Sequence, residues 1–388
     1  MALSIWLYLL AFRAGFWRSD QRLESGPVTA SAQWPPVIAL VPARDEAEVI
    51  AESLLSVLSQ RYDGLFAVAV IDDHSRDGTK AIAENTAEQA GLSHLLTMIE
   101  AKSLPAGWSG KLWALSNGLE AVLKQAPEAK YLWLSDADIW HEPDCLQRLV
   151  AKAEGEKKDA VSVMALLSCK GFWERLLIPP FIYFFQMLYP FGRINDPNDP
   201  MAGAAGGCVL VNKDSLVAAG GFDAIKDALI DDCALGRLIK GRAGRAEGGI
   251  WVGLSKSTRS LRPYGRLSEI WDMVARSAYT QLNYSPLLLI GTLLGMFLTY
   301  LVPPLAVLIG FLFGLPALGL IGLLAWAIMA GTLIPTLRFY GQPFWLAPLL
   351  PLSALFYTVM TMDSALQHWR GQGGRWKGRV LDRKGLDR

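Results

Sequence analysis

Histidine and cysteine are scarce in this chain, with four of each among 388 residues. Cys145, Cys169, Cys208 and Cys233 form no Cys-x-x-Cys pair, which argues against both a zinc site and a disulfide framework and fits a reducing compartment. Neither sign of charge is in excess. With 37 Lys and Arg against 36 Asp and Glu, no global field draws the protein to nucleic acid, and no such partner is expected. The chain has no Gly-x-x-x-x-Gly-Lys-Thr loop, and no Gly-x-Gly-x-x-Gly follows its first strand-like run, so P-loop and dinucleotide chemistry lose support. Charge is also missing locally, from residues 286–336 and from 344–362. At roughly 20 residues per crossing the first run is long enough for two spans and the second for one.

What is present is a soluble-looking region before Ser285 in which apolar runs end abruptly in polar signatures. Residues 37–41 lead into Pro42-Ala-Arg-Asp-Glu-Ala-Glu48, and residues 66–71 into Asp72-Asp-His-Ser-Arg-Asp-Gly-Thr79. Residues 95–100 lead into Gly107-Trp-Ser-Gly-Lys-Leu-Trp113, and Tyr131-Leu-Trp-Leu-Ser135 into Asp136-Ala-Asp138. Each signature opens or precedes a helical pattern, and such alternation predicts an α/β fold with a mostly parallel sheet and helices on both faces. The signatures then converge on the carboxyl rim of the sheet, where open α/β sheets bind ligands.

Asp136 and Asp138, at i and i+2 of an extended strand end, are expected to project to one side. An oxygen-rich pair there suits a hard divalent cation, Mg²⁺ or Mn²⁺, and such ions prefer carboxylates plus substrate phosphates. A substrate carrying a diphosphate follows. Asp73 is placed to accept hydrogen bonds from a base or ribose, and Arg44 or Lys111 to neutralise phosphate oxygens. Taken singly, each has a blander reading as a strand-end cap or a solvated surface charge.

Further along, residues 171–191 are aromatic and apolar but interrupted by Glu174, Arg175 and Pro179-Pro180, which predicts either a helix or hairpin in the membrane interface or a buried helix pair. Residues 195–200 form a polar, Pro-rich loop placed to move over the site, and Gly203-Ala-Ala-Gly-Gly-Cys208 lets backbone approach a ligand. Asp231-Asp232 opens a helix, either as a cap or as reactive carboxylates. Residues 246–254 read as a closing strand, and 266–282 as an amphipathic surface helix.

Val41-Pro-Ala-Arg-Asp-Glu46, Asp72-Asp-His-Ser-Arg-Asp-Gly-Thr79, Asp136-Ala-Asp138 and Asp231-Asp232 resemble, in order and spacing, the signatures of family 2 glycosyltransferases with the GT-A fold. Trp108-Ser-Gly-Lys-Leu-Trp-Ala114, Ile230-Asp-Asp-Cys-Ala-Leu-Gly-Arg237 and Trp376-Lys-Gly-Arg379 look most like the hopanoid (hopene)-associated membrane branch. The resemblance implies an inverting, metal-dependent enzyme that moves one sugar from a nucleotide-diphosphate sugar, a UDP-sugar first, to a membrane lipid. A polyprenyl phosphate or a ceramide-type lipid is the alternative acceptor, and a nucleotide-binding membrane scaffold the non-catalytic rival. It sets Pro42, Arg44, Glu46, Asp73, Lys111 and Asp136 against the nucleotide sugar, with Asp138 and Asp136 on the metal. Asp232 becomes the base, Asp231 its support, and Gly206, Gly207 and Cys208 the acceptor region. Polymer-extending relatives carry a Gln-x-x-Arg-Trp signature. Here Met273-Val-Ala-Arg276-Ser277 keeps only the arginine, so single-sugar transfer is expected, with Arg276 on the diphosphate.

The expected organisation is a membrane anchor over residues 1–23, a linker over 24–34, the GT-A domain over 35–265 and an interface helix over 266–284. Two or three spans over 285–366 and a basic tail over 367–388 complete it. Positive segments at both ends predict a bacterial-type inner membrane, several crossings and a cytoplasmic catalytic domain. Three crossings would put the basic tail outside, against its charge, so the topology stays open between three full spans and two with a re-entrant segment. The aromatic stretch, the amphipathic helix and the spans together predict a site fed from the bilayer.

Overall fold

The computed structural model describes residues 1–25, 33–241 and 248–371, with the backbone of Arg375–Trp376 and Arg379–Val380. Most of the linker, the start of the closing strand and the side chains of the basic tail beyond Gly371 therefore lie outside the described residues. The chain divides into two compact units.

One unit comprises Gln21–Leu167, Arg193–Pro263 and Trp376–Arg388, and is built on an eight-stranded sheet. Its strands are β1 (Val37–Ala43), β2 (Phe66–Asp72), β3 (Leu96–Glu100), β4 (Tyr131–Ser135), β5 (Ile139–His141), β6 (Ala160–Leu166), β7 (Cys208–Asn212) and β8 (Ile250–Ser260). In space they run β3-β2-β1-β4-β7-β6-β8-β5. The half from β3 to β4 is parallel throughout, as the strand–helix alternation predicts. Beyond it the sheet is mixed: β7 runs antiparallel to both β4 and β6, β5 runs antiparallel to β8, and β6 and β8 are parallel. The difference has a chain-path origin, because β7 enters from the glycine stretch at residues 203–207 and not from a crossover helix.

Alternation along β1 sorts its side chains. Val37, Ala39, Val41 and Ala43 join Ile50, Leu54, Ala83, Leu146 and Leu149 in one core, while helix Gly110–Gln125 packs on β1 and β2 separately from that cluster. Burial on both faces explains why these strands are almost uninterrupted apolar runs.

The same core assembles a group that the sequence spacing does not suggest. His141, Cys145 and Cys208 bring their imidazole and sulfur atoms within 4.8 Å of one another, fully buried. His141 Nε2 lies 2.8 Å from Ser135 Oγ, Cys145 Sγ lies 3.3 Å from Thr258 Oγ1, and Trp133 Nε1 donates to Cys208 Sγ at 3.3 Å. The absence of a Cys-x-x-Cys pair does not reveal this group, because Cys208 reaches it by pairing with Ser135, far from it in the chain.

The loop at residues 195–200 is tied down. Lys240 Nζ donates to the carbonyls of Arg193 (3.1 Å), Ile194 (2.6 Å), Asp196 (3.0 Å) and Met201 (2.7 Å), and Arg193 pairs with Asp199 at 2.7 Å. A loop expected to swing is therefore gripped through its backbone.

The other unit comprises Met1–Asp20, Ser168–Gly192 and Tyr264–Arg375. Three of its helices are long and apolar enough to cross a membrane: Pro286–Leu312, Pro316–Phe339 and Phe344–Trp369. Residues 172–188 form one 17-residue helix, neither broken nor a hairpin, although they contain Pro179 and Pro180. Pro180 offers no N–H to the Leu176 carbonyl, and Ser353 Oγ donates to that oxygen at 2.8 Å. Pro303 likewise leaves the Thr299 carbonyl to the indole of Trp6, at 2.8 Å, which ties helix Ala2–Phe12 to the first long helix. Such replacement donors are what a helix-breaking proline needs where water is excluded.

Phe184, expected in an interfacial floor, is 9% exposed and packs edge-on against Tyr300 (5.4 Å) and Tyr357 (5.1 Å). The aromatic stretch is thus a buried helix of this unit and not part of one continuous domain over 35–265. The predicted surface helix is broken into two shorter ones, Leu267–Ala275 and Ala278–Gln281. Trp271 Nε1 anchors it to Asp363 at 2.8 Å.

Candidate active site

Because β1, β2 and β4 are parallel neighbours, Arg44, Asp73 and Asp136, each the first residue past its strand, all leave the same edge of the sheet. Two loops there brace each other. Glu46 N donates to Thr79 Oγ1 at 2.8 Å, Ala47 N to Asp77 Oδ2 at 2.9 Å, and Arg76 N to Asp45 Oδ1 at 2.9 Å. Much of the Asp72–Thr79 signature is therefore scaffold. Arg44 does not face an open phosphate site but donates to the Asp73 carbonyl (2.7 Å) and carboxylate (3.2 Å), fixing Asp73, which is 2% exposed.

The Asp-x-Asp segment is a turn and not the extended strand end expected, since Ile139 N donates back to Asp136 O at 3.2 Å. Its carboxylates accordingly have different partners. Asp136 Oδ1 lies 2.6 Å from Lys111 Nζ, and Asp138 Oδ2 accepts from Arg262 Nε at 2.7 Å. Arg262 also bridges to Glu46.

Lys111 sits in the first turn of helix Gly110–Gln125, whose start is fixed by Ser109 Oγ accepting from Leu112 N at 3.3 Å. Its ammonium also meets Asp231 Oδ2 at 3.2 Å. Asp231 and Asp232 begin helix Asp231–Lys240. Both oxygens of Asp232 are engaged, Oδ1 by Cys233 N at 2.7 Å and Oδ2 by Gly206 N at 3.1 Å. Two close approaches need glycine. A Cβ at Gly206 would stand 3.1 Å from the Asp232 Cβ, and one at Gly236 only 2.6 Å from the backbone of Gly203.

Pro42, Lys111, Asp136, Gly206, Asp231 and Asp232 line one pocket. Burial opposes the charge on Lys111, but Asp136 and Asp231 overcome it and hold the ammonium well above its ordinary value. Burial pushes Asp136 up to about 6, with Lys111 opposing and Asp138 reinforcing. Asp232 is pushed up to about 6 by burial and by Asp231, against Lys111.

Of the other expected site residues, Gly207 contributes its carbonyl, which accepts from Asp136 N at 3.2 Å. Cys208 is fully buried on Trp133, as alternation along β7 turns it into the core, so it is not an acceptor-facing residue. Arg276 belongs to the other unit, where it is exposed and ends helix Leu267–Ala275. Arg262 escaped the sequence reading altogether, because a single arginine just past a strand carries no local pattern.

Comparison with known proteins agrees with this architecture. An uncharacterized protein of Methanocaldococcus jannaschii is 30% identical over 125 residues, 32% of this chain and 50% of that protein, so the chain spans about half the length of this curated relative. The mannosyltransferase PcManGT of Pyrobaculum calidifontis, solved with GDP-Man and Mn²⁺, superposes with a TM-score of 0.52 at 18% identity, covering 96% of this chain and 100% of that one. Glucosyl-3-phosphoglycerate synthase of M. tuberculosis gives a TM-score of 0.39 at 18% identity, over 64% of this chain and 80% of its own. The family model of glycosyl transferase family 2 matches residues 38–218, from β1 past β7, and the strand order and rim just described have the GT-A-like fold of the superposed mannosyltransferase.

Proposed function

We propose that the protein is a membrane-embedded, inverting glycosyltransferase that moves a single sugar from a nucleotide-diphosphate sugar to the hydroxyl of a membrane lipid. The observation that carries this reading is the pocket in which Lys111, held between Asp136 and Asp231, lies beside an Asp232 whose two oxygens are aimed by backbone N–H groups. The match of residues 38–218 to a glycosyltransferase family supports the reaction class. The GDP-Man and Mn²⁺ of PcManGT support a nucleotide-sugar donor and a divalent ion.

Asp73, fixed by Arg44, is suited to accept hydrogen bonds from the base, and Lys111 to meet diphosphate oxygens. Asp232 takes the proton of the acceptor hydroxyl as that oxygen attacks the anomeric carbon from the face opposite the diphosphate. A folded-state value of about 6 leaves Asp232 ionised at neutral pH and more basic than an ordinary carboxylate. Asp231 supports it by sharing Lys111. The only donors at the Asp136–Asp138 turn are hard carboxylate oxygens, a set that fits Mg²⁺ or Mn²⁺. Such an ion would offset negative charge gathering on the leaving diphosphate.

The lipid acceptor is favoured by the three long apolar helices in the same chain, and a hopanoid-like polycyclic lipid by the resemblance of the Trp108–Ala114 and Ile230–Arg237 stretches. A cytoplasmic catalytic domain on an inner membrane, an anchor over 1–23 and a GT-A domain bounded near 35 and 265 but excluding residues 168–192 belong to the same proposal. The test is incubation of purified protein, in Mg²⁺ or Mn²⁺, with labelled UDP- and GDP-sugars and a total lipid extract. Label in one lipid species is expected. Consumption of no donor would refute the enzyme, and transfer to a soluble sugar alone would refute the lipid acceptor.

A further inference from the structure

Arg262 follows directly on β8, where Leu261 N donates to the carbonyl of Asp138 at 2.9 Å. Its guanidinium clamps the Asp138 carboxylate at 2.7 Å and reaches the Glu46 carboxylate with another nitrogen. The two carboxylates are the enclosed partners, at 22% and 11% exposure, while the Arg262 side chain is 37% exposed. The cation is thus the member most open to an incoming ligand.

The charge balance gives that exposure a use. Glu46, Asp136, Asp138, Asp231 and Asp232 gather around two cations, Lys111 and Arg262. Lys111 is the more enclosed of the two, held between Asp136 and Asp231. We propose that Arg262 is a positioning residue that stands in for the divalent ion on Asp138 in the ligand-free protein and transfers to the diphosphate when nucleotide and ion arrive. The proposal rests on the reading of Asp138 as the ion's ligand. A doubly charged ion and a guanidinium on one carboxylate repel each other, so Arg262 weakens binding of the ion alone. A diphosphate supplies the planar pair of oxygens that a guanidinium prefers, so it draws Arg262 off and opens Asp138. Ion and nucleotide then strengthen each other's binding by the same factor. An ion taken up without substrate would be held weakly, which keeps the site from being filled by metal alone.

The experiment is Mn²⁺ binding, followed by electron paramagnetic resonance of the free ion, to full-length detergent-solubilised protein with and without UDP or GDP. Wild type is expected to bind Mn²⁺ weakly alone and more tightly with nucleotide. Arg262→Gln should bind Mn²⁺ alone on the order of tenfold more tightly, the scale of one hydrogen-bonded charge pair, and should gain less from nucleotide. Arg262→Lys, which keeps the charge but not the planar fork, should stay weak alone while losing part of the nucleotide effect. Asp138→Ala should bind little Mn²⁺ in either condition. If Asp138→Ala abolishes binding while Arg262→Gln binds Mn²⁺ no more tightly than wild type, the stand-in role is refuted and the proposed function survives. If Asp138→Ala binds as wild type does, the ion lies elsewhere and both readings fall.

Discussion

Gly206→Ala tests the geometry of the pocket with a single methyl group. Built on the existing backbone, the alanine Cβ stands 3.1 Å from Asp232 Cβ and 3.4 Å from Lys111 Nζ. The Lys111 contact is ordinary, but the Asp232 contact is too close by a few tenths of an ångström. Asp232 begins a helix whose Gly236 already touches the Gly203 backbone, so the helix has little room to retreat, and the carboxylate must rotate or the 206 backbone must shift. Either movement lengthens the 3.1 Å bond from the 206 N–H to Asp232 Oδ2. A hydrogen bond to a charged group contributes about 1.5–3 kcal/mol, and a displaced base loses rate steeply, so transfer should fall on the order of 10- to 100-fold. Nucleotide affinity should change less than about threefold, because Arg44 and Asp73 are untouched and less than ~1 kcal/mol is at stake. Initial rates of label transfer into extractable lipid, with calorimetric nucleotide binding, separate the two. Gly155→Ala, whose Cβ would meet nothing within 4 Å, is the control. A Gly206→Ala enzyme that is folded and transfers at the wild-type rate would show that Asp232 need not be held where the structure places it.

Asp232→Asn keeps the shape and removes the base, so donor binding should persist while transfer falls by about 10²-fold or more; lost affinity at an unchanged rate would make Asp232 a binding group. Since the folded protein raises Asp232 to about 6, the carboxylate is protonated and idle below that pH and ionised above it, so wild-type transfer should climb through about pH 6, a limb absent from the residual rate of Asp232→Asn. EDTA should silence the enzyme until Mg²⁺ or Mn²⁺ is restored, and full activity in chelator would refute the ion's role. In the helical unit, Ser353→Ala strips the Leu176 carbonyl of its donor and should cost about 1–3 kcal/mol, read as a lowered Tm, whereas Ser353→Thr, which keeps the hydroxyl, should cost less.

The parallel half of the sheet was legible because its cause is local. β1, β2 and β4 are apolar runs that stop at a charge, so the sequence marks both the strands and the edge where Arg44, Asp73 and Asp136 emerge. The three long apolar helices were legible for the same reason. The antiparallel half was not, since Ser135 pairs with Cys208 and Trp140 with Arg259, contacts that no window of the sequence contains. Lys111, Asp136, Asp231 and Asp232 are recognisable by type and place, but the pairing of Asp136 and Asp231 through one ammonium was invisible. Arg44 and Cys208 were read by what they carry, whereas strand direction and a buried acidic neighbour decide where they point. The helix over 172–188 defied its prolines because Ser353, from another segment of the chain, supplies the donor that its own backbone lacks.

Lys240 holds the 193–201 loop by four carbonyl oxygens and by no side chain of that loop. Every amino acid carries a carbonyl, so the grip is indifferent to which residues the loop contains. Apart from Arg193, Asn195 and Asp199, whose side chains also brace the segment, side chains there can be exchanged over evolutionary time, or by an engineer changing what the loop touches, without loosening that grip. Much of the dependence falls on one distant lysine. A chain that kept Lys240 could try many loop sequences on a fixed path, and a chain that lost it would have to rebuild that path from each sequence anew.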